Sequence, residues 1–185
     1  MIAILCGLTM NNSKLFRVFP NDPTPPFVEK ADGIYIYTKD GKKILDTTAG
    51  GTSYAVLGWN NPEVNSAIRG QLERFGHLDY KLWSDDNTEE LAELILSRAC
   101  HDLDRVYFSG NSGSEACEAA MKMSYQVRYD TGNPDKKWFI SREQSYHGAT
   151  SDALVLGERP NLEFYRETLS PYRSRIPMHH PLYLK

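Results

Sequence analysis

Two short runs of β-branched and aromatic residues form the first regular pattern along the chain. They cover 33–38 (GIYIYT) and 43–46 (KILD), and they flank Asp40-Gly41. An Asp-Gly pair between two such runs favours a tight turn, so the pattern predicts a β-hairpin. Before it, the proline-rich stretch 20–26 is expected to be an extended connector, since each proline disfavours helix in the residue that precedes it.

Two stretches with apolar residues at helical spacing follow the hairpin. The first begins at Asn61-Pro62-Glu63, which combines a cap residue, a proline suited to the first helical position and an early acid. Gly76 is expected to end this helix. In the second stretch, Asn87 and Glu90 resemble a capping box. The two apolar stripes consist of Val64, Ile68, Leu72 and Phe75, and of Leu91, Leu94, Ile95 and Ala99.

From Arg105 onwards the pattern changes to strand, turn, helix and strand. The run 105–109 (RVYFS) suits a strand, 110–114 (GNSGS) a turn, and 138–140 (WFI) a second strand. The helix between them is stopped by Gly132-Asn133-Pro134. Together they make a βαβ unit, so an α/β fold with a parallel sheet is predicted. The expected buried face of the helix consists of Ala116, Ala119, Ala120, Met123 and Val127.

Composition and charge exclude several classes of protein. Of the 185 residues, 41% are hydrophobic and 24% are charged, which is typical of a folded chain and not of a disordered or collagen-like one. The 21 basic and 24 acidic residues give a net charge of −3. This balance offers no basic surplus, so we expect no nucleic-acid partner.

The cysteines and the first residues bear on the compartment. Cys6, Cys100 and Cys117 are odd in number and lack CxxC spacing, which argues against a disulfide framework and against a bound metal. The apolar start, 1–10, has no basic segment and is too short for a signal peptide or a membrane span. We therefore expect a cytoplasmic protein without a membrane partner. A cleaved targeting segment, and with it the mitochondrion, is the less favoured alternative.

The turn 110–114 is the first segment that suggests chemistry. Its small residues let the backbone approach an anion, and the first amides of the following helix lack partners within that helix. With the helix dipole and the hydroxyls of Ser112 and Ser114, these amides suit a phosphate group. An equally good interpretation is that Ser112 and Glu115 form a capping box and bind nothing. The lysine of a P-loop is absent, and Ser114 stands where the GxSxG nucleophile motif requires glycine.

A second segment of interest, 144–150 (QSYHGAT), follows the second strand of the unit. Ligands of open α/β sheets bind at the carboxyl ends of the strands, so this segment and 110–114 are expected to converge. Tyr146 offers a flat aromatic face and His147 a polar tip. Taken singly, this pair is better explained as residues packed in a turn.

Together, the two segments resemble the class III pyridoxal-phosphate-dependent aminotransferases. The strings FSGNSGSEACEAAMKM, WFI and SYHGAT follow the order and spacing of the family's SGSEA-x-E-x-A-x-K and YHG-x-T motifs. The DGK turn, Leu45-Asp46 followed by Gly50-Gly51, and an LGxxxPEV segment extend the resemblance to roughly 33–150, whereas 159–185 matches loosely.

The resemblance implies a fold and its divisions. The fold class is α/β, the N-terminal portion of a pyridoxal 5'-phosphate (PLP)-dependent transferase fold. It comprises a small N-terminal hairpin segment and the start of a large mixed-sheet domain whose sheet is incomplete. The implied divisions are a leader and proline-rich connector at 1–30, the hairpin segment at 31–60 and the truncated large domain at 61–185.

The resemblance also implies which residues bind the cofactor. The phosphate group of PLP is assigned to Ser112, Gly113 and Ser114, which agrees with the argument from the helix terminus. Tyr146 is assigned to stacking on the pyridine ring. The same wall of the site is shaped by His147 and Gly148.

Two further residues are implied at the substrate pocket. Tyr54 lies in a segment that the family often places near the substrate or the partner subunit. Trp59 stands where the family usually has histidine after Gly58, and this departure is expected to alter the pocket entrance.

The catalytic residues of the family are expected to be missing. The family has a lysine that forms a Schiff base with PLP, and an acidic residue that pairs with the pyridine nitrogen, both later in the chain. Lys122, about two turns into the phosphate-side helix, and Lys137, at the start of a strand, are not in a family-like lysine context. The complete protein is expected to be a homodimeric aminotransferase that exchanges an amino group between an amine or amino acid and a keto acid. The present chain is expected to be a fragment without turnover.

Two alternatives stay open. The first is a non-catalytic, truncated isoform that pairs with a complete subunit, since the family's active sites lie at a dimer interface and an incomplete sheet leaves an unpaired edge. The second is a serine hydrolase that uses Ser112 with His147, His179 or His180. The broken GxSxG pattern and the lack of an acid partner count against the second.

Overall fold

The computed structural model describes residues 25–100, 102–142 and 145–157, together with the backbone of 173–175. The chain forms two compact units, which divide between Ser84 and Asp85. The leader and most of the proline-rich connector lie outside the described residues. The divisions implied at 30/31 and 60/61 stay predictions.

The first unit contains a three-stranded antiparallel sheet in the order β1-β2-β3. Its strands are β1 (Val28–Asp32), β2 (Tyr35–Thr38) and β3 (Lys43–Leu45). Tyr35 pairs with Leu45 and Tyr37 pairs with Lys43. The predicted hairpin is therefore confirmed as β2 and β3.

The sequence pattern does not predict β1. Its residues, VEKAD, are mostly polar and lack the aromatic run of β2. The strand forms because β2 offers it an edge of backbone donors and acceptors, with Asp32 opposite Tyr35 across the Gly33-Ile34 turn. The neighbouring strand, and not local composition, determines this element.

The turn between β2 and β3 is organised by Thr38, which is 1% exposed. Its hydroxyl donates to the Asp40 carboxylate and accepts from the Lys42 amide at 3.1 Å. Gly41 has a φ of +82°, which glycine adopts without steric cost. The buried hydroxyl thus closes the turn that the Asp-Gly pair predicts.

A second turn of the first unit is built around the carboxylate of Asp46. The amide and hydroxyl of Thr48 donate to it at 2.9 and 2.8 Å, and the Gly50 amide donates at 2.7 Å. Nε1 of Trp59 donates to the same carboxylate at 2.7 Å. The backbone of Trp59 exchanges two hydrogen bonds with Gly33, at 3.0 and 2.7 Å. One carboxylate therefore ties the end of β3 to a tryptophan that is itself bonded to the sheet.

Helix α1 (Pro62–Arg74) begins where the sequence predicts. The side chain of Asn61 accepts from the amides of the second and third residues after it, at 3.0 and 3.2 Å. The helix ends before the predicted Gly76, because Phe75 already has an extended backbone.

Helix α2 (Asp86–Leu96) opens the second unit, and its predicted cap is wrong. Asp85, and not Asn87, caps the helix, by accepting from the amides of Asn87 and Thr88 at 3.1 and 3.4 Å. The backbone at Asp85 is extended, as a cap residue requires, whereas Asn87 is already helical. Ala99, which was assigned to the apolar stripe, lies beyond the helix end.

Helix α3 (Gly113–Asp130) ends where predicted but turns a different face inwards. Gly132 has a φ of +75°, and its amide donates to the carbonyl of Tyr129 at 3.1 Å. Met121 is the buried residue of the helix, whereas Met123 and Val127 of the predicted face are 45% and 54% exposed. The predicted face is therefore wrong.

The buried face of α3 is selected by a short helix, α4 (Ser151–Leu156), which packs against it. Ala153 and Val155 of α4 are buried together with Met121. The sequence pattern does not identify α4, because six residues are too few to show a helical period.

The strands of the second unit are β4 (Phe139–Ser141) and β5 (Arg173–Arg175), which pair in parallel. This confirms β4 and a parallel pairing, but the partner of β4 is β5 and not the strand predicted at 105–109, so the described residues do not form the predicted βαβ unit. Tyr125 of α3 packs edge-on against the Phe139 ring, with centroids 5.2 Å apart. The predicted strand at 105–109 is wrong, since it forms no ladder with any described residue. A strand needs a neighbour to satisfy its backbone groups, and composition alone does not supply one.

Large apolar side chains of α1 and α2 stay exposed. Ile68 is 53% exposed, Leu72 61% and Leu94 50%. The stripes have the predicted helical spacing, but the described residues do not cover them. Within the described part of the chain, no helix is both long and apolar enough to cross a membrane.

The hydrogen bonds to Asp46 predict a pH dependence of stability. The Thr48 amide and hydroxyl, and then the Trp59 indole, lower the pKa of Asp46 from 3.8 to about 2. Because the pKa is lower in the folded chain, this contribution is complete above about pH 4 and is lost as the pH falls towards 2. We expect Asp46→Asn to lower the free energy of unfolding at pH 7. We also expect it to flatten the pH dependence between 4 and 2, measured by urea unfolding followed by tryptophan fluorescence.

Asp32→Asn is the matched control, since Asp32 is an exposed carboxylate at the end of β1 in the same sheet. That variant should keep the acid dependence of the original chain. If the stability of Asp46→Asn falls below pH 4 as steeply as that of the original chain, the role given to this carboxylate is contradicted.

Candidate functional site

The start of α3 and the segment that follows β4 lie against each other. The Ala149 amide donates to Oγ of Ser114 at 2.9 Å. Further along, the amides of Asp152 and Ala153 donate to Oε1 of Glu118 at 2.8 and 3.1 Å. The predicted convergence of the two motif segments is therefore confirmed.

Gly148 makes the closest approach between these segments. It is buried and has a φ of +148°. A Cβ at this position would lie 2.7 Å from Oγ of Ser114, 2.8 Å from its Cα and 2.7 Å from Cβ of Ala153. No side chain fits at such distances, so the contact requires glycine.

Ser112 caps α3, as one of the two interpretations of this turn proposes. Its backbone is extended, and its Oγ accepts from the Glu115 amide at 3.2 Å. Oε2 of Glu115 reaches back to the amide of Asn111, at 2.7 Å, and not to that of Ser112 as in a standard capping box. The turn is thus closed by two side-chain bonds that leave other amides unused.

The amides left over by the cap are those of Gly113 and Ser114. The first α-helical hydrogen bond runs from the Ala116 amide to the Ser112 carbonyl, at 3.1 Å, so the preceding amides have no place in the helical ladder. A Cβ at Gly113 would meet no atom within 4 Å, which leaves this side of the turn open. Ser114 uses an acceptor lone pair for Ala149, so its hydroxyl proton can still be donated. These groups fit a phosphate, so the capping role of Ser112 is compatible with phosphate binding, which stays a prediction.

Two buried polar atoms flank Gly148. Nε2 of His147 and Oγ1 of Thr150 have no hydrogen-bond partner among the described residues. Such atoms are rare in folded proteins, and they mark a place where a ligand can supply a partner. Tyr146, beside them, is 58% exposed and presents an aromatic ring. The residues present therefore fit the phosphate and the ring of PLP.

Tyr54 and Trp59 belong to the first unit, whereas the six predicted cofactor residues belong to the second. Tyr54 follows a π-helical turn (Ala49–Ser53) and is 86% exposed. The indole N–H of Trp59 is committed to Asp46. Their assignment to a substrate pocket stays a prediction.

Glu118 is the residue at this contact that sequence reasoning missed. It is the second glutamate of the SGSEACE string. A signal was available: Glu118 follows Ser114 by four residues and therefore lies on the same face of α3. A carboxylate one helical turn after a hydroxyl, on the same face, is suited to accept hydrogen bonds from the backbone amides of a neighbouring segment.

Lys122 and Lys137 line spaces other than the phosphate-binding turn proposed at 110–114. Lys122 and Lys137 line a groove of about 540 Å³ along the second half of α3. Lys122 also lines a cavity of about 460 Å³ with Glu118 and Tyr107. The first groove includes no residue of the first turn of α3, whereas the second cavity reaches Glu115 in that turn. Neither space is lined by Ser112, Gly113, Ser114 or Tyr146.

The hydrolase alternative finds no catalytic pair in the described part of the chain. Oγ of Ser112 accepts from the Glu115 amide, and no hydrogen bond joins it to His147. His179 and His180 lie outside the described residues.

The close contact at Gly148 predicts the effect of a single methyl group. We expect Gly148→Ala to separate the segment from α3 and to cost about 1–3 kcal/mol of unfolding free energy, as overpacked sites do. Gly70→Ala in α1, where a Cβ meets nothing within 4 Å, is the control. It should be neutral or slightly stabilising. Equal thermal stability of the two variants would show that the contact is not tight in solution.

Comparison with known proteins gives a consistent result. The profile of the family described as "Aminotransferase class-III" matches residues 19–183. An uncharacterized aminotransferase of Schizosaccharomyces pombe is 37% identical over 163 residues, which are 88% of this chain and 35% of that protein. The mitochondrial gamma-aminobutyrate transaminase 1 of Oryza sativa subsp. indica is 33% identical over 153 residues, 82% of this chain and 29% of its own length. The chain thus spans about a third of the length of these relatives.

The solved structures agree. An omega transaminase from Pseudomonas jessenii in complex with PMP matches with a TM-score of 0.75 at 29% identity, over 89% of this chain and 38% of that one. A thermostable omega transaminase variant matches with a TM-score of 0.78 at 28% identity. These neighbours are PLP-dependent transaminases, which confirms the predicted fold class, a partial α/β piece with a small, incomplete sheet. By the profile match over most of its length and by its relatives, the chain belongs to the class III aminotransferases.

Proposed function

We propose that the chain provides the phosphate- and ring-binding part of a PLP-dependent transaminase. Such an enzyme transfers an amino group between an amine or amino acid and a keto acid. The observation that carries the proposal is the contact between the start of α3 and the segment after β4, fixed by the bond from Ala149 to Ser114 at 2.9 Å. In this proposal the start of α3 binds the phosphate, and Tyr146, three residues before Ala149, covers the pyridine ring.

Each group at this contact has a role in the proposal. The amides of Gly113 and Ser114 bind the phosphate at the positive end of α3. The Ser114 hydroxyl donates its proton to a phosphate oxygen while it accepts from Ala149. Tyr146 covers one face of the pyridine ring. Bound PLP supplies an electron sink for negative charge that develops at the substrate carbon beside the amino group.

We further propose that these 185 residues bind PLP reversibly and do not catalyse transamination by themselves. Lys122 and Lys137 line spaces that exclude the phosphate-binding turn. Covalent attachment of the cofactor, and proton movement at the substrate carbon, need a lysine at the ring. In this proposal another part of the aminotransferase supplies it.

We also propose that the chain associates with a second aminotransferase chain, as a homodimer or with a complete subunit. The exposed apolar side chains of Ile68, Leu72 and Leu94 support this, because such surface is usually covered in a stable protein. Light scattering should give a mass above that of one chain, or the chain should co-purify with a full-length aminotransferase. A strictly monomeric chain that retains no aminotransferase would contradict the association.

The cytoplasm is the proposed compartment, on the basis of the three widely spaced cysteines without CxxC spacing. The mitochondrion is the alternative, since the rice relative is named as mitochondrial. Fractionation of cells that express the untagged chain separates the two.

Phosphate binding at α3 predicts the effect of a charge at Gly113. A Cβ there would meet no atom within 4 Å, and an acid suits the first turn of a helix, so Gly113→Asp should not lower the melting temperature. Its carboxylate would repel the phosphate, and we expect the affinity for PLP to fall at least about tenfold. Absorbance and fluorescence titrations with PLP measure this, and Gly70→Asp in α1 is the control.

Two outcomes would overturn the proposals. Equal PLP affinity of the original chain and Gly113→Asp would refute the phosphate site. Borohydride reduction should leave no stoichiometric pyridoxyl-lysine on the chain, as judged by mass spectrometry. Such an adduct, accompanied by turnover of an amino donor and a keto acid, would refute the lack of activity.

A further inference from the structure

We propose that Glu118 is a positioning residue that holds the Tyr146–Thr150 segment in register on the start of α3. The proposal rests on the proposed function, because the segment matters through Tyr146 at the cofactor ring. Glu118 lies four residues after Ser114 in α3, beyond the amides assigned to the phosphate, and it touches no part of PLP in this assignment. It therefore acts on the cofactor through the segment that it holds.

The first support is the pair of bonds that Glu118 accepts. Its Oε1 accepts hydrogen bonds from the amides of Asp152 and Ala153, at 2.8 and 3.1 Å. Both amides lie in the first turn of α4. A helix normally satisfies such amides with a side chain of its own cap residue. The cap residue of α4, Thr150, makes no such bond. A carboxylate from another helix therefore does the capping, which fixes α4 to α3.

The second support is the spacing of the acceptors on α3. Ser114 and Glu118 are about one helical turn apart on the same face. Ser114 accepts from Ala149, ahead of α4, and Glu118 accepts from the start of α4. The segment is thus pinned at both ends of a short stretch that begins directly after Gly148. A shift along α3 would break both sets of bonds.

The third support is burial at the contact. Ala153, whose amide Glu118 binds, is 0% exposed, and its Cβ would lie 2.7 Å from a Cβ at Gly148. If the Glu118 bonds are lost, Ala153 is free to move, and the fit at Gly148 loosens with it. Tyr146 is two residues away from that glycine. The position of its ring therefore depends on a carboxylate that lies outside the cofactor site.

The experiment compares Glu118→Ala and Glu118→Gln with the original chain. Alanine removes both bonds, whereas glutamine keeps an acceptor oxygen without the charge. We expect alanine to weaken PLP binding about tenfold and glutamine to restore most of the affinity, at a temperature well below unfolding. The circular dichroism of bound PLP should fall with alanine and recover with glutamine. Glu90→Ala, at an exposed site on α2, is the control.

A second measurement does not use the cofactor. Amide hydrogen exchange at Ala149, Asp152 and Ala153 should be faster in Glu118→Ala and close to normal in Glu118→Gln. If Glu118→Ala lowers only the melting temperature, with PLP affinity and dichroism unchanged, the positioning role is overturned. If the original chain binds no PLP, the proposed function fails. The amide exchange rates then test the role of Glu118 without the cofactor. Unchanged exchange rates in Glu118→Ala would overturn that role.

Discussion

A hydrogen bond from the Ala149 amide to the Ser114 hydroxyl joins two segments that are 35 residues apart in the chain. Much of the second unit depends on it. The bond places the residues after β4 across the start of α3, where the helix ladder leaves two amides unused. It also brings Gly148 against the helix backbone at Ser114, next to α4, which packs on α3. A serine at the second position of a helix thus organises the packing and the candidate binding site together.

The sequence is sufficient where a local interaction decides the structure. The Asp-Gly pair places the β2–β3 turn, Asn61 and Pro62 place the start of α1, and Gly132 places the end of α3. The cap at Ser112 belongs to the same group, because a serine ahead of a helix has a physical meaning on its own. Each of these features depends on contacts between residues within about five positions of each other, so the local sequence contains both partners.

The sequence is insufficient where distant residues decide. Met121 is buried and Met123 is exposed because α4 packs on one side of α3, and nothing within α3 specifies that side. The run 105–109 has strand composition but no partner among the described residues, whereas the polar β1 has one in β2. Asp85 is the cap residue, and not Asn87, because the backbone is extended at Asp85 and already helical at Asn87. Composition does not reveal this difference. Glu118 was missed for the same reason, since its partners are 34 and 35 residues away.

The fit of Gly148 between Ser114 and Ala153 has a consequence for building chimeras of aminotransferases. Residues 110–130 and 145–157 form one packing module, although a strand and its connections separate them in the chain. A crossover placed between them would combine a helix from one parent with a covering segment from another. The helix of one parent and the covering segment of the other would then meet at the tight contact around Gly148, where close packing leaves no space for a larger side chain. Parental junctions that keep both stretches from a single source preserve this fit, whatever is exchanged around them.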